Sequence, residues 1–158
     1  MLLIFIRHGK AEPKTDGKPD KERELTEEGK ADIEALAKIL PTEPRKIFTS
    51  PYKRAIQTAE IIGKIWGVSI EVKEELSPEN MSIEALKKIE ISGGEIFVGH
   101  APSIEVVVSK LIGGGNIHMS SGSAAIIEIE EIKESKGHLL ALISRDVVRK
   151  IMDMYISS

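Results

Sequence analysis

Three short stretches of this chain bring a nucleophile together with cations. Arg7-His8-Gly9 offers an arginine that can fork onto a phosphate, an imidazole that can attack phosphorus, and a glycine that lets the backbone come close. Ser50-Pro51-Tyr52-Lys53-Arg54 carries a second arginine, and Gly99-His100-Ala101-Pro102 a second histidine. Gathered at one point, two arginines and two histidines form a phosphate pocket with a nucleophile in it. Phosphoryl transfer needs in-line attack and neutralisation of the charge on the equatorial oxygens. Singly, each stretch has a bland reading: a polar turn, a solvated arginine, a structural corner. The joint occurrence, in this order and after strands, points to chemistry.

The elements that must position these residues are legible. Leu2–Ile6 is an unbroken apolar run, a strand buried on both faces as in the middle of a parallel sheet. It delivers Arg7, His8 and Gly9 at its carboxyl end, where open α/β sheets bind ligands. Ile47-Phe48-Thr49 is a second strand. Ser50 suits an N-cap and Pro51 the first helical position, which predicts a helix with Arg54 about one turn in. Ile96-Phe97-Val98 runs into a helix beginning near Pro102, so His100 lies beside a helix N-terminus that favours an anion.

Residues 10–24 read as a polar, mobile surface loop at the site's end of the sheet. Thr26 can cap a helix whose apolar stripe is Ile33, Leu36, Ala37 and Leu40, and the next helix carries Ala55, Ala59, Ile62, Ile65 and Trp66. Ile70–Val72 is a short edge strand, 74–81 an acidic loop, 82–91 a helix, and 102–112 a helix closed by Gly113-Gly114-Gly115. Ala124–Ile129 and Leu139–Ile143 form an antiparallel hairpin around the charged turn 130–137, followed by a helix over Asp146–Ile156. The expected fold is a three-layer α/β/α sandwich with a mostly parallel sheet and a C-terminal antiparallel hairpin, one domain over residues 1–158.

The sequence resembles the histidine phosphatase superfamily, with its phosphoglycerate mutase-like fold. Arg7-His8-Gly9 matches the signature tripeptide, and Leu25-Thr26 with Gly29 the "L-T-x-x-G" that follows it. Ser50-Pro51, Arg54-Ala55 and Thr58-Ala59 match "S-P-x-x-R-A-x-x-T-A", and Gly99-His100 the late histidine. Small size and Glu75-Leu76-Ser77-Pro78 look most like the SixA branch, the phosphohistidine phosphatases. The resemblance implies His8 as nucleophile through a covalent phosphohistidine, Arg7 and Arg54 as clamps, and His100 with the Ala101 amide as donors to the phosphoryl oxygens. It implies no cofactor and no metal. Glu75 is the nearest match to the family's general acid, with Glu74 and Glu79 as substitutes; a phosphorylated imidazole leaves well enough to need little or none.

Composition sets bounds. At 158 residues the chain is near the ~150 typical of one domain. A net charge of −3 gives no general attraction to nucleic acid or to an anionic membrane, so positive charge must be focused in the pocket. No stretch approaches the roughly 18–20 apolar residues of a transmembrane helix, and residues 2–6 lack the flanks of a signal peptide, which points to the cytoplasm. Without cysteine there is no disulfide and no thiolate nucleophile. One Gln and two Asn against sixteen Lys and twenty Glu fit a heat-adapted, thermostable protein.

The favoured reading is a phosphatase acting on phosphohistidine of a protein. A small-molecule phosphomonoester phosphatase or a phosphoglycerate mutase-like enzyme is the first alternative, although a mutase needs longer insertions over its site. A non-catalytic phospho-binding module is the second; an intact His8 argues against it. His118 and His138 read as structural or exposed, Lys10 and Lys14 flank the pocket entrance, and Ser121, Gly122 and Ser123 could line its far wall. Oligomeric state is left open.

Overall fold

The computed structural model describes residues 1–157, the side chain of Ser157 excepted. The apolar runs become the inner strands of a six-stranded sheet in the order β3-β2-β4-β1-β5-β6. Here β1 is Leu2–Arg7, β2 Lys46–Thr49, β3 Ile70–Val72 and β4 Glu95–Gly99, all parallel to their neighbours in this group. β5 (Ala124–Glu128) runs antiparallel to β1, and β6 (His138–Ile143) antiparallel to β5. The helices are α1 (Glu27–Ile39), α2 (Lys53–Trp66), α3 (Ile83–Leu86), α4 (Ser103–Leu111) and α5 (Arg145–Ser157). This is the three-layer α/β/α sandwich, and each sheet face carries one core.

One core gathers Ile4, Ile6, Ile47, Ile96 and Val98 from the strands with Ile33, Leu36, Ala37, Ala55, Ala59 and Ile62 of α1 and α2. The other packs Phe5, Phe48 and Phe97 against Ile104, Val107, Val108 and Leu111 of α4. Residues Leu3 to Ile6 are almost fully buried, as a strand covered on both faces requires.

Two boundaries and one buried position differ from expectation. α2 starts at Lys53, with Tyr52 as its N-cap, so Arg54 is its second residue and Pro51 lies outside it. Ser50 does not cap the helix; its Oγ accepts the Tyr52 N–H at 3.2 Å and faces His100. The helix expected over 82–91 is the single turn α3, begun by Ser82, whose hydroxyl accepts the Ala85 N–H at 3.0 Å. Ile65, placed on the apolar stripe, is 40 % exposed. Thr26 caps α1 as expected, accepting from Gly29 N–H at 3.0 Å.

The loop after β1 is pinned rather than loose. It carries bridges Ala11–Leu25 and Thr15–Lys18 and a single 3-10 turn over Asp20–Glu22. Two glycines set its approach to α1. A Cβ on Gly29 would stand 2.2 Å from the Lys10 carbonyl oxygen, and one on Gly9 2.9 Å from Ile33 Cγ1. The chain leaving His8 therefore lies directly on the first turn of α1. Gly29→Ala is expected to destabilise the fold by about 1–3 kcal/mol through overpacking. Urea unfolding checks this, and an unchanged midpoint would show that the close approach is dispensable.

Candidate active site

The carboxyl ends of β1, β2 and β4 deliver the three sequence stretches to one place. Backbone bonds join them: His8 N–H donates to Gly99 O at 3.1 Å, Ser50 N–H to Val98 O at 3.0 Å, and Arg7 N–H to Ser123 O at 3.1 Å. A cavity of about 460 Å³ opens there, lined by Arg7, His8, Arg54, His100 and Ala101 together with Lys10, Lys14, Asp20, Arg23, Tyr52 and Ser121. His8 and His100 are 8 % and 2 % exposed, with ring centroids 5.0 Å apart.

The His8 ring is oriented at both nitrogens. Nδ1 lies 2.7 Å from the Gly9 carbonyl oxygen, and since a carbonyl only accepts, Nδ1 carries the proton. Nε2 is then the lone-pair nitrogen, and Arg54 Nε donates to it at 3.3 Å. Burial, reinforced by the charges of Arg54 and Arg7 and opposed by the Gly9 bond, pushes the His8 pKa down to about 4. Burial also lowers His100, to about 2, with His8 and Arg54 adding to it. Both rings are neutral near pH 7.

The cations are held by distinct partners. Arg7 Nη1 donates to the Met119 carbonyl at 2.8 Å, while its buried Nε has no partner among the described residues. The Arg54 guanidinium lies 5.0 Å from the Tyr52 ring centroid, a cation–π contact. Thr58 ties Arg54's helix to the loop, its hydroxyl donating to Arg54 O at 2.8 Å and accepting Gly9 N–H at 3.1 Å. Tyr52 N–H and His100 Nε2 meet at Ser50 Oγ, 3.2 and 2.8 Å away.

Not every sequence-derived assignment reaches the cavity. Gly9 is outside its lining: the amide is committed to Thr58, and the absent side chain admits α1. Glu75 lines a separate cavity with Glu74, Glu84 and Lys88. Glu79 is exposed, its carboxylate 3.4 Å from the Tyr52 hydroxyl. Of the far-wall residues Ser121 is present, bonded by Arg145 Nη1 at 2.9 Å, and Gly122 N–H contacts the Arg7 and His8 carbonyls. His118 is largely exposed beside Glu105, and His138 is exposed on β6. Sequence reading missed Asp20, Arg23 and Tyr52. The spacing Asp20-x-x-Arg23 just before Leu25-Thr26 was the available signal for the first two.

A neutral imidazole with a fixed tautomer, set among arginines at the ends of parallel strands, is an arrangement chemically able to bind and attack a phosphoryl group. The model of the histidine phosphatase superfamily (branch 1) matches residues 3–93, and the chain belongs to that superfamily. Membership supports phosphatase activity. No curated protein matches the sequence significantly. Among solved structures, the protein histidine phosphatase SixA complexed with tungstate superposes with a TM-score of 0.79 at 22% identity, covering 92% of this chain and 98% of that one. The α-ribazole phosphatase from Shigella flexneri gives 0.70 at 17% identity, covering 92% and 97%. A mutant phosphoserine phosphatase from Entamoeba histolytica in complex with phosphoserine gives 0.69 at 17% identity, covering 92% and 98%. At these identities the likeness is one of fold.

The electrostatics make a pH prediction. The folded His8 pKa lies below the ordinary value of 6.5, so below pH 6.5 the unfolded chain binds the extra proton. The stability contributed by neutral His8 is complete above pH 6.5 and declines as pH falls towards about 4. An NMR titration should find His8 neutral at pH 5.5, whereas a midpoint near 6.5 would contradict the burial argument.

Proposed function

We propose that this protein hydrolyses phosphohistidine carried by a phosphorylated protein, through a covalent phosphohistidine on its own His8. The observation that carries the reading is the wide, cation-lined cavity in which His8 holds Nε2 unprotonated, its lone pair facing the Arg54 guanidinium. The only acidic residue lining that cavity among the described residues, Asp20, is engaged by arginines.

In the first step the His8 Nε2 lone pair attacks phosphorus as the bond to the substrate imidazole breaks. Arg7 and Arg54 spread the charge of the three equatorial oxygens, and a ring N–H of His100 and the amide of Ala101 add neutral donors. The Nδ1–H bond to the Gly9 carbonyl stabilises the positive charge that develops on the His8 ring. In the second step water attacks the phosphorylated His8, the Nε2–phosphorus bond breaks, and phosphate and neutral His8 are regenerated. With its other ring nitrogen protonated, the substrate ring departs as neutral imidazole, a far better leaving group than an alkoxide, so the step proceeds without a strong acid. Glu75 faces another cavity, which supports a substrate of this kind over an alkyl phosphate. The wide cavity can admit a side chain of a phosphorylated protein, and Lys10 and Lys14 line it. No helix among the described residues is long and apolar enough to cross a membrane.

Phosphate release from a phosphohistidine-bearing protein, with 3-phosphoglycerate and p-nitrophenyl phosphate alongside, tests the reading. Release should be fast from phosphohistidine, unchanged in Glu75→Gln, and lower by on the order of 10³-fold or more in His8→Ala. Faster turnover of the esters would move the activity to small-molecule hydrolysis. Substrate binding with no turnover would leave a phospho-binding module.

A further inference from the structure

The loop between β1 and α1 brings a single carboxylate into the cavity, and its partners are the groups a phosphoryl anion needs. Asp20 accepts from Arg23 Nε at 2.8 Å through Oδ1 and from Arg54 Nη2 at 3.4 Å through Oδ2. Its backbone carbonyl accepts from Arg54 Nη1 at 2.8 Å. Arg54 Nε already faces His8 Nε2 at 3.3 Å. All three guanidinium nitrogens of Arg54 are thus engaged, the outer two by Asp20. Those two form the edge through which a guanidinium grips phosphate in a bidentate manner.

Partial burial works to raise the Asp20 pKa, but the bond from Arg23 and the charge of Arg54 leave it below the usual carboxylate range. Asp20 is therefore an anion in the free protein. It shields Arg54 from Arg23, whose like charges would otherwise face each other in a partly dry site. A phosphoryl dianion carries the same sign and seeks the nitrogen that the carboxylate holds, so the two exclude each other at Arg54 Nη2, while Nη1 stays on the Asp20 backbone carbonyl. The Asp20 side chain is 40 % exposed, which lets it turn into water at small cost. Arg23 is anchored independently, its Nη1 donating to the Glu12 carbonyl at 2.6 Å, so it stays when Asp20 leaves.

We infer that Asp20 is a built-in competitor for the phosphoryl seat: it caps Arg54 in the free enzyme and yields to the substrate's phosphoryl group, which then gains Arg23 as a third guanidinium. The inference rests on reading the cavity as a phosphoryl pocket. Its consequence is selective weakening of small anions. A phosphoprotein brings further contacts that help displace Asp20, while free phosphate must do so alone, and product release is eased.

Calorimetric titration of inorganic phosphate into the wild-type protein, Asp20→Asn and Asp20→Ala tests it. Both variants should bind phosphate at least about tenfold more tightly, because a like charge near the seat is gone. Inhibition by phosphate during turnover should strengthen in parallel, and adding Arg23→Gln to Asp20→Asn should reverse part of the gain. Equal or weaker binding in both variants would overturn the inference and make Asp20 a support of Arg54. Binding by none of the proteins would instead overturn the reading of the cavity itself.

Discussion

The site depends on one constraint: an imidazole held neutral, in one tautomer, at the end of a buried strand. The Gly9 carbonyl fixes the proton on Nδ1, and burial with two nearby guanidinium groups keeps a second proton off Nε2. Much of the surrounding structure serves that arrangement. β1 is covered on both faces, so its end is rigid, and His8 is locked to β4 by its bond to Gly99. Gly9 and Gly29 let the chain that supplies the carbonyl lie against α1, and Thr58 clamps the same turn to α2. A displaced Gly9 would release the tautomer and loosen the approach of Arg54 together.

Placing cations beside a buried histidine is costly unless each has a partner. The structure meets that demand mostly with backbone carbonyls. Met119 O holds Arg7, Asp20 O holds Arg54, and Glu12 O holds Arg23. Carbonyls are neutral, so they orient a guanidinium while leaving its charge available. Tyr52 does similar service with its ring face against Arg54. Among the described residues Asp20 is the single full anion lining the cavity, and its side chain is exposed enough to turn into water.

The strands, the mostly parallel character of the sheet and the convergence of Arg7, His8, Arg54 and His100 were legible in the sequence because apolar runs ending in polar residues have few other uses; the strand order was not. The start of α2 was not. Ser50-Pro51 has the composition of a cap, yet its hydroxyl is drawn to Tyr52 N–H and His100, a partner 50 residues away that local propensity does not encode. The weak helix after Ser82 likewise shortened to one turn. Asp20 and Arg23 were hidden inside a lysine-rich loop whose composition reads as solvated surface, and its internal bridges together with tertiary contacts to Arg54 fold it over the site. Glu75 was carried over by motif position, and its own cavity is set by the 3-10 turn Glu74–Leu76, which sequence pattern does not specify.

The central claim, that His8 Nε2 takes the phosphoryl group, is tested most directly by single-turnover rapid quench with a labelled phosphohistidine protein. Label should appear transiently on the enzyme, stable to alkali and labile to acid, and map to Nε2 of His8 with none in His8→Ala. Release of phosphate with no enzyme-bound label at any time, or label on another residue, would contradict the account.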